Sequence, residues 1–542
     1  MRTFLSSLLL VTTFILSGQS NQPKLVVGIV VDQMRQDYLI RFYDNYGEGG
    51  FKRLMNDGFI ARNNHYNYIP TNTAPGHASI YTGTTPRYHG IISNDWYSRV
   101  VDRSVYCVGD TLSKNVGGSE PSGFISPRNL LVNTITDELK LSTNFRSKVV
   151  GVSIKDRGAV LPAGHTPDGA YWYDSRTGEF MTSDFYMDAL PKWVVDFNNR
   201  KLVDKYSNQK WTTSLPLDQY TQSTEDNSPY ERGFKGKDTP TFPYDIEELR
   251  LQNGPYGLIR TTPFGNTLVL DMAKAAIKGE SLGSDKIMDF LAVSLSSTDY
   301  IGHNFGPNSV EIQDTYIKLD QDLAAFLKHL DETIGKDQYT VFLTADHGVV
   351  SNPQFLVDHQ LPGGFTDNTE AKIIFTEFIK EKFDNQEYIL NVSNDQIFLD
   401  RELISANGDN LEKIQRMLVE AAMQVDEVSE AFTASDMARF DYSDPMRLSL
   451  QNGFNTKLSG DVLVLKKVAR LSDGYGNKGT SHGSGYTYDT HVPLLFYGAG
   501  VKKGSTTRKT YITDIVPTLS MLLNTSLPNG AVTGTPIEDL FK

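Results

Sequence analysis

Three aspartates, three histidines and one hydroxyl carry the chemistry this sequence could perform. Asp32 ends the apolar run Lys24–Asp32, and Asp299 and His303 follow the run Phe290–Leu295. Asp346 and His347 follow Thr340–Thr344, while His482 lies in Gly479-Thr-Ser-His-Gly483, ahead of the run Val492–Tyr497. Carboxylate combined with imidazole is a ligand set that zinc takes. Two such ions about 4 Å apart can hold both the attacking and the leaving oxygen of an in-line phosphoryl displacement. The attacking hydroxyl would be Thr73, in Pro70-Thr-Asn-Thr73-Ala-Pro-Gly-His-Ala78. Pro75 is pre-organised for a first helical turn, and the N-terminus of a helix suits a phosphate. Each residue also has a plainer use. An aspartate at a strand end caps the next helix, Thr-x-Pro makes an N-cap, and Asp-x-x-x-His spacing pairs side chains one turn apart. Their joint occurrence at strand ends favours a two-metal site.

The elements that must position these residues are near-continuous apolar runs, which suit strands buried on both faces of a parallel sheet. Besides those already named, Lys148–Ile154 is such a run. Helical patterns lie between them. In the clearest, Ile312, Tyr316, Leu319, Leu323, Phe326, Leu327, Leu330 and Ile334 keep a 3.6-residue period, with Gly335 at the C-cap position. Alternation of this kind predicts an α/β fold with a doubly wound, mostly parallel sheet. Ligands of such sheets bind at the carboxyl ends of the strands, where these acids and histidines sit. Two stretches, 165–262 and 350–475, break the alternation and are expected as insertions in a catalytic domain spanning 20–542.

The chain has 542 residues, 39% of them apolar, enough for a large core. A formal charge of −13 argues against a nucleic-acid partner and means that an anionic substrate must be drawn by something local. At the N-terminus, Arg2, the apolar stretch Phe4–Leu16 and Ser17-Gly18-Gln19 read as a secretory signal over residues 1–19. That stretch is shorter than the roughly 20 apolar residues of a membrane span. Cys107 is the only cysteine, so no intramolecular disulfide can form. A secreted protein of the bacterial periplasm or the extracellular space is expected, with no membrane span after processing.

The ordered motifs resemble those of the alkaline phosphatase superfamily, and within it the PafA-type secreted bacterial alkaline phosphatases. They run from Val-Val-Asp32-Gln-Met through Thr73-Ala-Pro-Gly-His, Ser-Asn94-Asp-Trp, Ile-Lys155-Asp-Arg157-Gly and Ser-Thr-Asp299-Tyr-Ile-Gly-His303. They continue through Ala-Asp346-His347-Gly and Ser-His482-Gly-Ser to Thr-Asp-Ile-Val-Pro-Thr-Leu519. The resemblance implies two zinc ions per chain, one on Asp299, His303 and His482, the other on Asp32, Asp346 and His347 with Thr73 as a further ligand. It also implies Thr73 as nucleophile through a phosphothreonine, and Asn94, Lys155 and Arg157 as grips on the phosphoryl oxygens, joined by the backbone N–H after Thr73. The implied activity is hydrolysis of small-molecule phosphate monoesters by a monomer. Phosphodiesterases and nucleotide pyrophosphatases share the threonine and the ligands. Lys155 and Arg157 favour the monoester, whose transferred group carries an additional charged oxygen. From a different class, a non-catalytic phosphate- or metal-binding protein on the same fold remains an alternative. His77 is expected to be structural.

Overall fold

The run Leu25–Val31 folds as a strand whose seven residues are all buried, as expected for the centre of a two-sided sheet. The computed structural model describes residues 22–366, 368–472 and 477–541, so the leader at 1–19 lies outside the described residues. Ten strands form the central sheet: β1 (Leu25–Val31), β2 (Phe59–His65), β3 (Asn115–Val116), β4 (Val149–Ser153), β5 (Gly169–Asp174), β6 (Glu179–Ser183), β7 (Asp289–Leu295), β8 (Tyr339–Thr344), β9 (Leu494–Gly498) and β10 (Gly504–Tyr511). Their spatial order is β10-β2-β9-β8-β1-β7-β4-β5-β6-β3. The centre, β8-β1-β7-β4-β5, is parallel throughout. The Val492–Tyr497 run departs from the others, because β9 runs antiparallel to both β8 and β2.

Register places the chemistry. Val31 lies opposite Leu295, Val30 opposite Thr344, and Ser294 opposite Ser153. The residues that follow these pairs, Asp32, Asp299, Asp346 and Lys155, therefore emerge along one edge. Five helices frame it: α1 (Thr73–Thr82), α2 (Asp156–Ala163), α3 (Pro263–Gly279), α4 (Ser297–Phe305) and α5 (Val310–Leu330). Helix α1 is buried at all ten positions and packs on α2, while α3 packs on α5.

The stretch 165–262, expected as an insertion, is part of the core. It supplies β5 and β6 to the sheet, and Trp211, Phe234 and Tyr244 join the main hydrophobic cluster. Its aromatic and turn-rich composition hid this, because the burial comes from packing against Phe305 rather than from local periodicity. Residues 389–466 behave differently. Four antiparallel strands (Ile389–Ser393, Gln396–Leu399, Val462–Lys466 and Val428–Thr433) form a separate sheet. With helices Asn368–Lys382 and Leu411–Ala422 this sheet encloses its own core, including Ile379, Ile397, Ile414, Leu418 and Val462.

Candidate active site

Asn72 is extended (φ −112°, ψ 162°), and α1 starts at Thr73 without a side-chain cap. The threonine hydroxyl is thus not used as an N-cap. Its Oγ1 lies 3.5 Å from His347 Nε2 and 3.5 Å from Lys155 Nζ. Gly76, one turn into α1, allows this approach: a Cβ there would stand 2.4 Å from the Asp346 carbonyl oxygen. The backbone N–H after Thr73, expected to face the anion, is already engaged. Ala74 N donates to Asn94 Oδ1 at 2.9 Å, which leaves the Asn94 Nδ2 group as its free end for an anion.

Two groups of ligand atoms lie within 4.8 Å of one another: Asp32, Asp346 and His347, and Asp299, His347 and His482. His303 completes the second region, with Nε2 3.1 Å from Asp299 Oδ1 one helical turn away on α4. The three imidazoles are set alike. His303 Nδ1 faces Thr480 O at 2.8 Å, His347 Nδ1 faces Gly348 O at 2.9 Å, and His482 Nδ1 faces Thr71 O at 2.9 Å. A carbonyl can only accept, so each Nδ1 carries a proton; the neutral Nε2 of His347 and of His482 turns a lone pair toward the aspartates, whereas His303, pulled down by burial, is raised on balance by Asp299 beside its Nε2. Burial lowers His347 to about 4, and burial with His347 alongside drives His482 well down, so both rings are neutral. Their rings stack at a centroid distance of 3.4 Å.

The carboxylates are left wanting a cation. Asp32 Oδ1 and Asp346 Oδ2 are buried without any hydrogen-bond partner. Burial, with Asp32 beside it, pushes Asp346 well above the usual carboxylate range. Burial works the same way on Asp299, but His303 and then Lys155 hold it well below that range. Lys155 Nζ sits between the two regions, 2.7 Å from Asp32 Oδ2 and 2.6 Å from Asp299 Oδ2. Orphaned carboxylate oxygens facing imidazole lone pairs fit divalent metal ions. Arg157 Nη1 donates to the Tyr106 hydroxyl at 3.1 Å, while its buried Nε has no partner.

Sequence reasoning missed Gln33. Its backbone N–H donates to Asp346 Oδ1 at 3.1 Å, and its Nε2 donates to Asp299 Oδ1 at 2.6 Å. One residue thereby fixes a carboxylate of each region. It adopts φ +65°, and Gly302 on α4 makes room for it, since a Cβ at Gly302 would stand 1.8 Å from Gln33 Oε1. The only signal was adjacency to Asp32, and nothing local reveals a partner 266 residues away. His77 uses both nitrogens, facing Thr73 O at 2.8 Å and Ser294 Oγ at 2.9 Å, which ties α1 to β7.

A sheet edge with acids, imidazoles and a helix-start hydroxyl suits phosphoester chemistry, and the chain belongs to the type I phosphodiesterase / nucleotide pyrophosphatase family, whose profile matches residues 26–483. Particular relatives span the same length. Alkaline phosphatase PafA of Elizabethkingia meningoseptica is 47% identical over 96% of this chain and 95% of its own. Alkaline phosphatase PhoV of Synechococcus elongatus is 47% identical over 96% and 93%, and a Myroides odoratus protein named calcium-transporting ATPase is 47% identical over 97% and 96%. The crystal structure of PafA superposes with a TM-score of 0.92, covering 96% of this chain and 99% of PafA. No described helix is long and apolar enough to cross a membrane.

Proposed function

We propose that this chain is an alkaline phosphatase that hydrolyses phosphate monoesters to inorganic phosphate with Thr73 as nucleophile. The observation that carries the reading is the Thr73 hydroxyl, aimed away from its own helix and held among Lys155, His347 and carboxylates with unpaired oxygens. Full-length relatives named alkaline phosphatases support it.

Two zinc ions, one on Asp299, His303 and His482 and one on Asp32, Asp346, His347 and Thr73 Oγ1, would supply Lewis-acid charge for an otherwise weak hydroxyl nucleophile and for the departing oxygen. Thr73 Oγ1 forms its bond to phosphorus in line as the bond to the alcohol oxygen breaks, leaving a phosphothreonine. Water attacks that phosphorus in a second in-line step, which restores Thr73 and releases phosphate. Two inversions give net retention. Arg157, with an unsatisfied buried Nε, binds phosphoryl oxygens, and Asn94 Nδ2 adds a donor. Lys155 adds a point charge to the same group. A monoester places a charged oxygen where a diester places carbon, so these cations favour the monoester. Positioning and charge account for most of such a reaction.

The protein acts outside the cytoplasm as a monomer after loss of residues 1–19. This reading rests on the leader pattern and the family resemblance. The test is the initial rate on phenyl phosphate and diphenyl phosphate, after chelation and after zinc is restored. A zinc-dependent preference for the monoester supports the assignment. Preference for the diester moves the chain to the phosphodiesterase branch, and no rate on either with zinc bound leaves a binding protein.

A further inference from the structure

Asn94 and Arg157 approach the phosphoryl position from different elements, and one hairpin joins them. Strands Asp95–Ser98 and Arg103–Tyr106 pair antiparallel, with Asp95 opposite Tyr106. Asn94 therefore stands at one end of the hairpin's base and Tyr106 at the other. Cys107 N donates to Asn94 O at 2.9 Å, and Asn129 Nδ2 donates to Tyr106 O and to Cys107 O, each at 3.2 Å. The base is thus fixed on both strands, and Ala74 N ties the Asn94 side chain to the start of α1. At the Tyr106 end the hydroxyl reaches α2. It donates to Asp156 Oδ1 and accepts from Arg157 Nη1 at 3.1 Å. A phenol has one proton, and a carboxylate can only accept it, so the phenol lone pairs are left to Arg157. Burial, followed by the Asp156 charge, pushes the Tyr106 hydroxyl well above its ordinary value, and the proton stays.

We propose that Tyr106 is a positioning residue for phosphoryl recognition: its hydroxyl, oriented by Asp156, holds the Arg157 guanidinium in register with Asn94 and leaves the guanidinium charge to the substrate. The proposal rests on the phosphatase reading above. The use of a phenol here has a physical reason. A carboxylate in the same place would orient Arg157 equally well, but it would pair with the guanidinium and compete with the phosphoryl oxygens. The phenol oxygen is neutral and accepts only one of the five guanidinium N–H groups. Asp156, the neighbouring carboxylate, is kept from that role. Its Oδ1 accepts from the Tyr106 hydroxyl and from the Arg157 backbone N–H at 2.6 Å, and the Arg157 guanidinium forms no ion pair among the described residues. An untethered arginine would lose rotamer freedom at each binding event. The Tyr106 bond restricts it before the substrate arrives.

The test compares kcat/KM for phenyl phosphate and diphenyl phosphate in the zinc-loaded wild type, Tyr106→Phe, Tyr97→Phe, Arg157→Ala and the double variant Tyr106→Phe/Arg157→Ala. The ratio of the two substrates within one preparation is independent of the folded fraction. Tyr106→Phe keeps the ring and removes the hydroxyl. It should lower the monoester value about tenfold, the worth of one hydrogen bond to a charged group, and the diester value much less, which narrows the ratio. In the Arg157→Ala background the same substitution should leave the ratio where Arg157→Ala alone puts it, because its effect passes through the arginine. Tyr97, on the same hairpin, donates to Asp102 instead, so Tyr97→Phe should not move the ratio. If Tyr106→Phe yields no folded protein, Asp156→Ala, which frees the phenol proton, reads the same ratio and should narrow it severalfold. Equal losses on both substrates, a ratio moved as far by Tyr97→Phe, or a Tyr106 effect that persists in full without Arg157 would each overturn the proposal. A wild type that turns over neither substrate, or prefers the diester, would sink the phosphatase reading instead.

Discussion

Two regions of this molecule bury carboxylates, and they neutralise them in opposite ways. At the sheet edge, Asp32, Asp299 and Asp346 share Lys155 and three imidazoles, with two oxygens left for a cation. Near the start of α5, Glu231 and Glu311 are 1% and 0% exposed, and their chief polar companion is a tyrosine: Tyr244 donates to Glu311 Oε1 at 2.5 Å. Burial and the charge of Glu311 push Glu231 up to about 11, against a weaker pull from Lys478, and burial pushes Glu311 up to about 8. Those acids hold protons where Asp32 and Asp299 hold the Lys155 cation. A buried acid is thus not evidence of a metal site by itself; what distinguishes the edge is the group of imidazoles and a basic side chain.

The sharpest way to break the comparison is at Thr73, the proposed nucleophile. Thr73→Ala should lower kcat by about 10³-fold or more while bound zinc is retained, read by rate and elemental analysis together. Next comes Arg157, the proposed phosphoryl grip. Arg157→Ala should cost about 10²-fold in kcat/KM on a monoester and much less on a diester, narrowing the ratio between them. Gln33→Leu removes the side-chain bond to Asp299 and leaves the backbone bond to Asp346. It should weaken metal retention about 10- to 100-fold in competition with a chelator, whereas Gln33→Glu adds a charge and should not restore wild-type behaviour.

The smallest effect belongs to the other region. Glu311 in the folded chain titrates at about 8, above its ordinary 4.5, so between those values the folded state keeps a proton that the unfolded state has lost. Stability from this group is complete below about 4.5 and is lost as pH rises toward 8. Glu311→Gln cannot ionise and still accepts from Tyr244. It should flatten the pH dependence and raise Tm at pH 9 by a few °C, roughly, without altering metal content. A lower Tm for the variant at pH 9 would contradict the protonated-pair account.

What could be read in the sequence follows from where each signal lies. The runs that became β1, β4, β7 and β8 announced themselves by continuous burial, and the acids just beyond them had to fall on one edge once the strands were parallel. Loop residue His482 was legible only through its motif, because its approach to Asp299 is set by long-range packing. Antiparallel β9 was not legible, since a buried run carries no sign of direction. Nor was the role of 165–262, where Trp211 and Tyr244 are held by distant partners in α5, Asp314 and Glu311. Gln33 and the engagement of Ala74 N by Asn94 escaped for the same reason: both depend on which atoms tertiary structure brings within 3 Å.

The most direct test of the central claim is a zinc titration of chelator-stripped protein, following bound metal and phenyl phosphate hydrolysis in parallel. Carboxylates and imidazoles in two groups predict binding of two ions per chain and hydrolysis that reaches its full rate only with the second. Full activity in the stripped protein, or after one equivalent, would contradict the account.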